Sequence, residues 1–105
     1  MKKTLTRVEK VNLLTNLMWD YRIPGEQVLD LLEGKRETAG PYTTESLFRK
    51  LLESYSWYTI LSILGPECVL QLLTDRTIAS LRFKSLSQRY EFIRTRLQKA
   101  LHSPG

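Results

Sequence analysis

Apolar residues recur every three or four positions along most of the chain, which is the period of an amphipathic α-helix. Thr6 and Glu9 have the spacing of a capping box, in which each side chain bonds the other's backbone N–H. This motif and the stripe after it predict a first helix from Arg7 to Asp20. The stripe consists of Val8, Val11, Leu14, Leu17, Met18 and Tyr21.

Proline and glycine delimit a second helix. Pro24 suits a first helical turn, where its missing N–H has no partner to lose, and Gly34 suits the end. Residues 35–43 have little apolar content and contain Gly40-Pro41, so they are predicted to form one long loop. The apolar positions of the second helix are Val28, Leu29, Leu31 and Leu32.

The second half of the chain has the same helical period, with more frequent interruptions. Thr43 or Thr44 is expected to cap a third helix, and Gly65-Pro66 ends a fourth helix and begins a fifth. Short helices are predicted over 67–73 and from Thr74 or Asp75 to Arg82. Ser85 and Gln88 suggest a second capping box, before a last helix that runs to about Leu101. Its stripe is Leu86, Tyr90, Ile93, Leu97 and Leu101.

These elements define the expected fold class. Period-two alternation nowhere lasts more than a few residues, so no sheet is expected. The 105 residues suffice for one domain and not for two. We therefore predict an all-α single domain over 1–105, a compact orthogonal array of six or seven helices, with flexible ends at 1–5 and 102–105.

Charge is distributed unevenly along the chain. Residues 1–10 carry four basic and one acidic side chain, residues 11–75 five basic and nine acidic, and residues 76–105 seven basic and one acidic. Because chain termini often lie close together, the two basic ends are expected to form one positive patch. Such a patch attracts a phosphate backbone or an acidic protein surface, and the alternative is a solvated face of incidental sign.

Catalytic groups are scarce. The single histidine, His102, lies beside the C-terminus, and the single cysteine, Cys68, lies in an apolar stretch where a thiol usually acts as a small hydrophobe. Glu26, Asp30 and Glu33 share one side of the second helix, but nothing nearby completes a metal coordination shell. We expect no enzyme activity, no cofactor and no metal.

The last helix carries the clearest candidate site. Arg89, Phe92, Arg96 and Lys99 follow one another at helical spacing beside the apolar stripe. A basic row with an aromatic ring suits a nucleic acid, and it equally suits a protein surface. A third interpretation is that Phe92 only widens the buried face, with arginine stems covering its edge. The remaining candidate binding residues are Arg82 and Lys84.

Residues 74–82 admit another nucleic-acid interpretation, as the recognition helix of a helix-turn-helix. Arg76, Thr77, Ser80 and Arg82 would then point outward to the DNA. The short preceding helix and the absence of glycine in the turn weigh against it.

Composition bears on location as well. A lone cysteine gives no sign of an oxidising compartment, so the cytoplasm is expected. The most apolar run, residues 57–64, is far shorter than the roughly 20 residues that span a membrane, so no membrane partner is expected. Charged residues from Arg7 to Lys10 argue against a signal peptide.

Five segments also stand out together: Leu17-Met18-Trp19-Asp20, Phe48 to Leu52-Glu53, Trp57, Leu64-Gly65-Pro66-Glu67 and Leu86 to Phe92. In this order they resemble a family of small helical proteins of bacteria and archaea, often encoded beside nucleotidyltransferase-type toxins and regarded as their antitoxins. The resemblance spans residues 17–93. Residues 35–43 are longer than the family pattern, and its arginine before the third-helix leucine is matched only by the shifted Arg49. The resemblance implies a non-enzymatic binding protein and carries over no catalytic residue.

The leading hypothesis is therefore a protein-interaction or regulatory module, antitoxin-like in its sharpest form, which docks through its basic last helix. The alternative is a DNA- or RNA-binding protein that uses the same residues against phosphates. The sequence leaves the oligomeric state open.

Overall fold

The computed structural model describes residues 5–18 and 23–102, apart from the side chain of His102, and most of these residues are helical. The predicted all-α class and the predicted six or seven helices are confirmed for these residues. The elements are α1 (Arg7–Leu17), α2 (Gly25–Leu32), β1 (Thr38–Ala39), β2 (Tyr42–Thr43), α3 (Thr44–Ser54), α4 (Trp57–Leu64), α5 (Pro66–Leu72), α6 (Asp75–Ala79) and α7 (Lys84–His102).

Short side-chain hydrogen bonds fix where several helices begin. The predicted capping box at α1 is present: the Thr6 N–H donates to Glu9 Oε1 at 2.9 Å, and the Glu9 N–H donates to Thr6 Oγ1 at 3.2 Å. Thr43 and Ser46 form a second capping box at α3, and the hydroxyls of Ser56 and Thr74 each accept one backbone N–H at the start of α4 and α6. The caps at Thr6, Thr43 and Thr74 are among those that the sequence predicts, whereas the cap at Ser56 was not predicted.

The start of α7 departs from the prediction. The helix begins at Lys84, so Ser85 lies inside its first turn and does not cap it. The carbonyl of Phe83 accepts the N–H of Ser87 at 3.0 Å and forms the first helical hydrogen bond. The predicted Ser85–Gln88 capping box was therefore wrong.

Residues 35–43 also differ from the predicted irregular loop. Thr38 pairs with Thr43 and Ala39 with Tyr42 in an antiparallel hairpin. Gly40 begins its two-residue turn with φ 57°, and Pro41 follows, a combination typical of a type II′ turn. Ala39 is buried against the core. Two residues per strand are too few to produce a visible alternation, so the hairpin could not be predicted from the hydrophobic pattern.

One apolar core joins the helices into a single domain. Its centre combines buried leucines of α1, α2 and α3 with Phe48, Ile60, Ile63, Val69 and Tyr90. The radius of gyration, 13.6 Å, is close to the value of about 13 Å expected for a compact chain of 100 residues. Val8 departs from the predicted α1 stripe, since it is 69% exposed.

Several predictions fall on or beside residues that are not described. Trp19, Tyr21 and the end of the predicted first helix lie outside the described residues. Leu5 packs against the core and His102 is the last residue of α7, whereas the other residues of the predicted flexible ends, 1–4 and 103–105, lie outside the described residues. Among the described helices, none combines the length and the apolar character needed to cross a membrane.

Candidate binding face on the last helix

The last helix presents its predicted basic row on one side. At 3.6 residues per turn, Arg89, Phe92, Arg96 and Lys99 fall within an arc of about 80°. All four are exposed, whereas Tyr90, on the opposite flank, is buried. These four residues are called the α7 basic face below.

Phe92 decides between two of the interpretations left open by the sequence. Its side chain is 63% exposed, so it does not widen the buried face of α7. The guanidinium carbon of Arg96 lies 5.7 Å from the centre of the Phe92 ring, within cation–π range. The two side chains therefore form a preassembled aromatic–cationic pair at the middle of the face.

The cations of the α7 basic face differ in their pairing from Arg94, which lies on the same helix. Within residues 5–18 and 23–102, neither Arg89, Arg96 nor Lys99 forms an ion pair. Arg94, on the other side of the same helix, contacts the carboxylate of Asp75 and is only 19% exposed. The helix thus uses Arg94 to hold itself on α6 and leaves the three cations of the α7 basic face directed to solvent.

Arg82 and Lys84 are exposed but do not complete the face. Arg82 precedes the helix, and its backbone N–H donates to Glu53 Oε2 at 2.9 Å. Lys84 lies about 140° around the helix from Arg89. Of the six predicted binding residues, the structure brings four together and leaves these two at the margin.

Two of the three carboxylates in the acidic row on and just after α2, Asp30 and Glu33, already pair with cations. Arg7 contacts Asp30 at 3.1 Å and Glu33 at 3.6 Å, and Lys35 contacts Glu33 at 3.3 Å. The hydrogen bond to Asp30 is the main reason that the pKa of Arg7 is raised. Arg7 is therefore ion-paired. Its charge does not add to the positive patch that was expected where the two basic chain ends meet. No cluster of three metal-ligating side chains occurs in the described part of the chain.

The recognition-helix interpretation of residues 74–82 fails on two counts. Thr77 was expected to point outward, but it is buried, and the hydroxyl of Thr74 donates to it at 3.1 Å. Arg76 is paired with Glu45 at 3.2 Å. Because α6 has only five residues, its cap and its buried side occupy most of the helix.

Open cavities of about 300 and 240 Å³ flank the Arg76–Glu45 pair.

Cys68 is a half-buried thiol on α5. Burial, followed by the nearby charge of Glu33, raises its pKa, and Lys10 lowers it to a smaller extent. Its sulfur lies 3.7 Å from the carbonyl oxygen of Leu32. At neutral pH the thiol is protonated, which is the form that attacks electrophiles poorly.

Fold and face together define the class of this molecule: a small all-helical protein with a cationic, aromatic-centred helix surface. Comparison of the chain with family models, with curated proteins and with solved structures gives no match in any of the three. The antitoxin-like resemblance therefore stays a prediction.

The helical period alone locates the α7 basic face in the sequence. It does not reveal the ion pairs that other arginines form. The pairs Arg94–Asp75 and Arg7–Asp30 join residues 19 and 23 positions apart. No local spacing signals such long-range pairs, so the sequence could not say which arginines remain available.

Proposed function

We propose that this protein is a non-enzymatic interaction module that docks onto an acidic protein partner through the α7 basic face, with an antitoxin-like neutraliser as its sharpest form. Its place of action is the cytoplasm. The partner would supply carboxylates to Arg89, Arg96 and Lys99 and an apolar recess to Phe92.

The observation that carries this proposal is the coincidence of an exposed aromatic ring and unpaired cations on one rigid helix. A phenylalanine that is 63% exposed gains free energy when a partner removes it from water. Arginine is enriched among the residues that dominate binding energy in protein interfaces. The anchoring of α7 through Arg94 and Tyr90 holds these groups in fixed relative positions, which lowers the entropy lost on docking.

A second candidate function, binding of DNA or RNA, is favoured only by the three cations of the α7 basic face, which form no ion pair with a described residue. If each contacts one phosphate of a duplex, the slope of log affinity against log salt is about −2.7. Charge reversal at Arg89 and Arg96 would remove two phosphate contacts, and the slope would then become less steep by about 1.8. Absence of duplex binding at low salt would eliminate this candidate.

The main test compares two charge-reversed variants of equal net charge. Arg89→Glu with Arg96→Glu reverses the face, whereas Arg36→Glu with Arg49→Glu reverses two exposed arginines elsewhere. Each tagged variant is incubated with nuclease-treated lysate from cells of the source organism, and the recovered proteins are identified. We expect a protein recovered by the wild type and by the control, and lost by the face variant. Equal recovery by both variants would contradict the proposal.

A further inference from the structure

Ser85 has a hydroxyl group without a structural task. It is exposed in the first turn of α7 and forms no hydrogen bond with the described residues. The hydroxyls that begin other helices differ, since Thr6, Thr43 and Thr74 accept backbone N–H groups as caps. Chemical modification of Ser85 would therefore break no existing contact.

Cations surround this hydroxyl on both sides in sequence. Arg82 lies three residues before it, Lys84 directly before it, and Arg89 four residues after it. Residues four apart on a helix are neighbours, about 6 Å between Cβ atoms, so Ser85 and Arg89 share one side. None of the three cations forms an ion pair with a described residue. The backbone at Arg82 is held in place by its bond to Glu53.

We propose that Ser85 is the acceptor of an arginine-directed protein kinase, and that its phosphorylation switches off the α7 basic face; the switch rests on the function proposed above. The Ser85 oxygen would attack the γ-phosphorus of a nucleoside triphosphate held by the kinase. The new O–P bond forms as the bond to the bridging oxygen breaks. Nucleoside diphosphate leaves with the electron pair, and the hydroxyl proton passes to the base of the kinase.

The inhibitory effect follows from charge and position. A phosphoserine carries about −1.5 to −2 charges and three acceptor oxygens at neutral pH. It would bind the guanidinium of Arg89, four residues away, and so compete with the carboxylates of the partner. Because the phosphoserine would lie in the first turn of a helix, the helix dipole would stabilise its negative charge. The kinase would recognise Arg82 and Lys84, the two candidates that lie outside the face.

Phosphorylation itself is tested first. The full-length folded protein is incubated with an arginine-directed serine/threonine kinase and ATP, and the modified residue is identified by mass spectrometry. We expect phosphate on Ser85, none at this position in Ser85→Ala, and at least tenfold slower modification in Arg82→Ala. The matched control Ser87→Ala should be modified at the wild-type rate. Modification of Ser87 instead, or no modification, would overturn the assignment.

The contact between the phosphate and Arg89 has its own readout. In a ³¹P NMR titration, the second pKa of the phosphate should lie below that of a free phosphoserine peptide. It should return toward the peptide value in Arg89→Ala and stay low in Arg49→Ala. An equal pKa in all three proteins would refute the contact.

Capture of the partner then tests the switch. The phosphorylated protein should bind the protein recovered by the wild type at least tenfold more weakly, and unchanged affinity would refute the switch. If no face-dependent protein is recovered at all, the proposed function fails and the switch fails with it. The kinase and NMR results still decide whether Ser85 is an acceptor.

Discussion

The ring of Trp57 meets the ring of Tyr90 edge to face, with 6.2 Å between the ring centres and 66° between the planes. This contact joins the first turn of α4 to the middle of α7. It is the arrangement favoured by aromatic quadrupoles, and it buries Tyr90 almost completely. Together with the Arg94–Asp75 pair, it fixes which side of α7 remains exposed.

Truncation of Tyr90 should therefore be severe. Tyr90→Ala removes a large side chain that is 2% exposed and leaves a cavity, so we expect a loss of about 3–5 kcal/mol in the free energy of unfolding. The matched control is Tyr58→Ala, at a tyrosine that is 78% exposed, for which a change within about 0.5 kcal/mol is expected. Urea titration measures both. Equal effects would show that α7 is not packed through Tyr90.

The contact between α1 and α2 depends on a missing side chain at Gly25. A Cβ atom there would lie 2.3 Å from the carbonyl oxygen of Val11 and 2.3 Å from Thr15 Oγ1. Gly25→Ala should destabilise the protein by roughly 1–3 kcal/mol, although alanine is the better helix former. Adding Thr15→Ala should not restore stability, since the Val11 oxygen belongs to the backbone. Full rescue by that second change would place the clash elsewhere.

Stability should decrease at alkaline pH. Burial raises the pKa of Tyr55 and of Tyr90, and also that of Cys68. As the pH rises, the unfolded chain thus loses these protons before the folded protein does. The stability that these protonated groups contribute is fully present below their pKa values in the unfolded chain, about 8.5 for cysteine and about 10 for tyrosine. It is lost as the pH rises through their higher pKa values in the folded protein.

This effect can be assigned to one residue by comparing urea midpoints at pH 7 and pH 10.5. Tyr90→Phe removes a titrating hydroxyl and should show a smaller alkaline loss than the wild type. Tyr58→Phe, at an exposed position, should show the wild-type loss. If the two variants lose stability equally, burial of Tyr90 is not the cause.

The sequence predicted those parts of the fold that depend on neighbouring residues. Thr6 with Glu9, and the junction at Gly65-Pro66, were located because caps and breaks act over three or four positions. Ser85 with Gln88 has similar spacing, yet it forms no cap, because the helix already starts at Lys84. Local motifs indicate which helix caps and breaks can form, and tertiary packing determines which of them do form.

The candidate site, too, could be predicted from the sequence only where it depends on neighbouring residues. Helical periodicity alone places Arg89, Phe92, Arg96 and Lys99 on one side of the last helix. It could not tell whether Phe92 faces the core or the solvent, since a ring at the edge of a stripe suits both. The structure decides this through the position of α7 on α5 and α6, which depends on contacts remote in sequence.

Docking through the α7 basic face is tested most sharply by the variant Phe92→Ala, measured for stability and for affinity toward the protein that the wild type captures. We predict a free energy of unfolding within about 0.5 kcal/mol of the wild-type value, because the ring is exposed. The affinity should fall at least tenfold, because the ring is the apolar anchor of the face. Unchanged affinity would contradict the docking role of the ring, and strong destabilisation would contradict its exposed position.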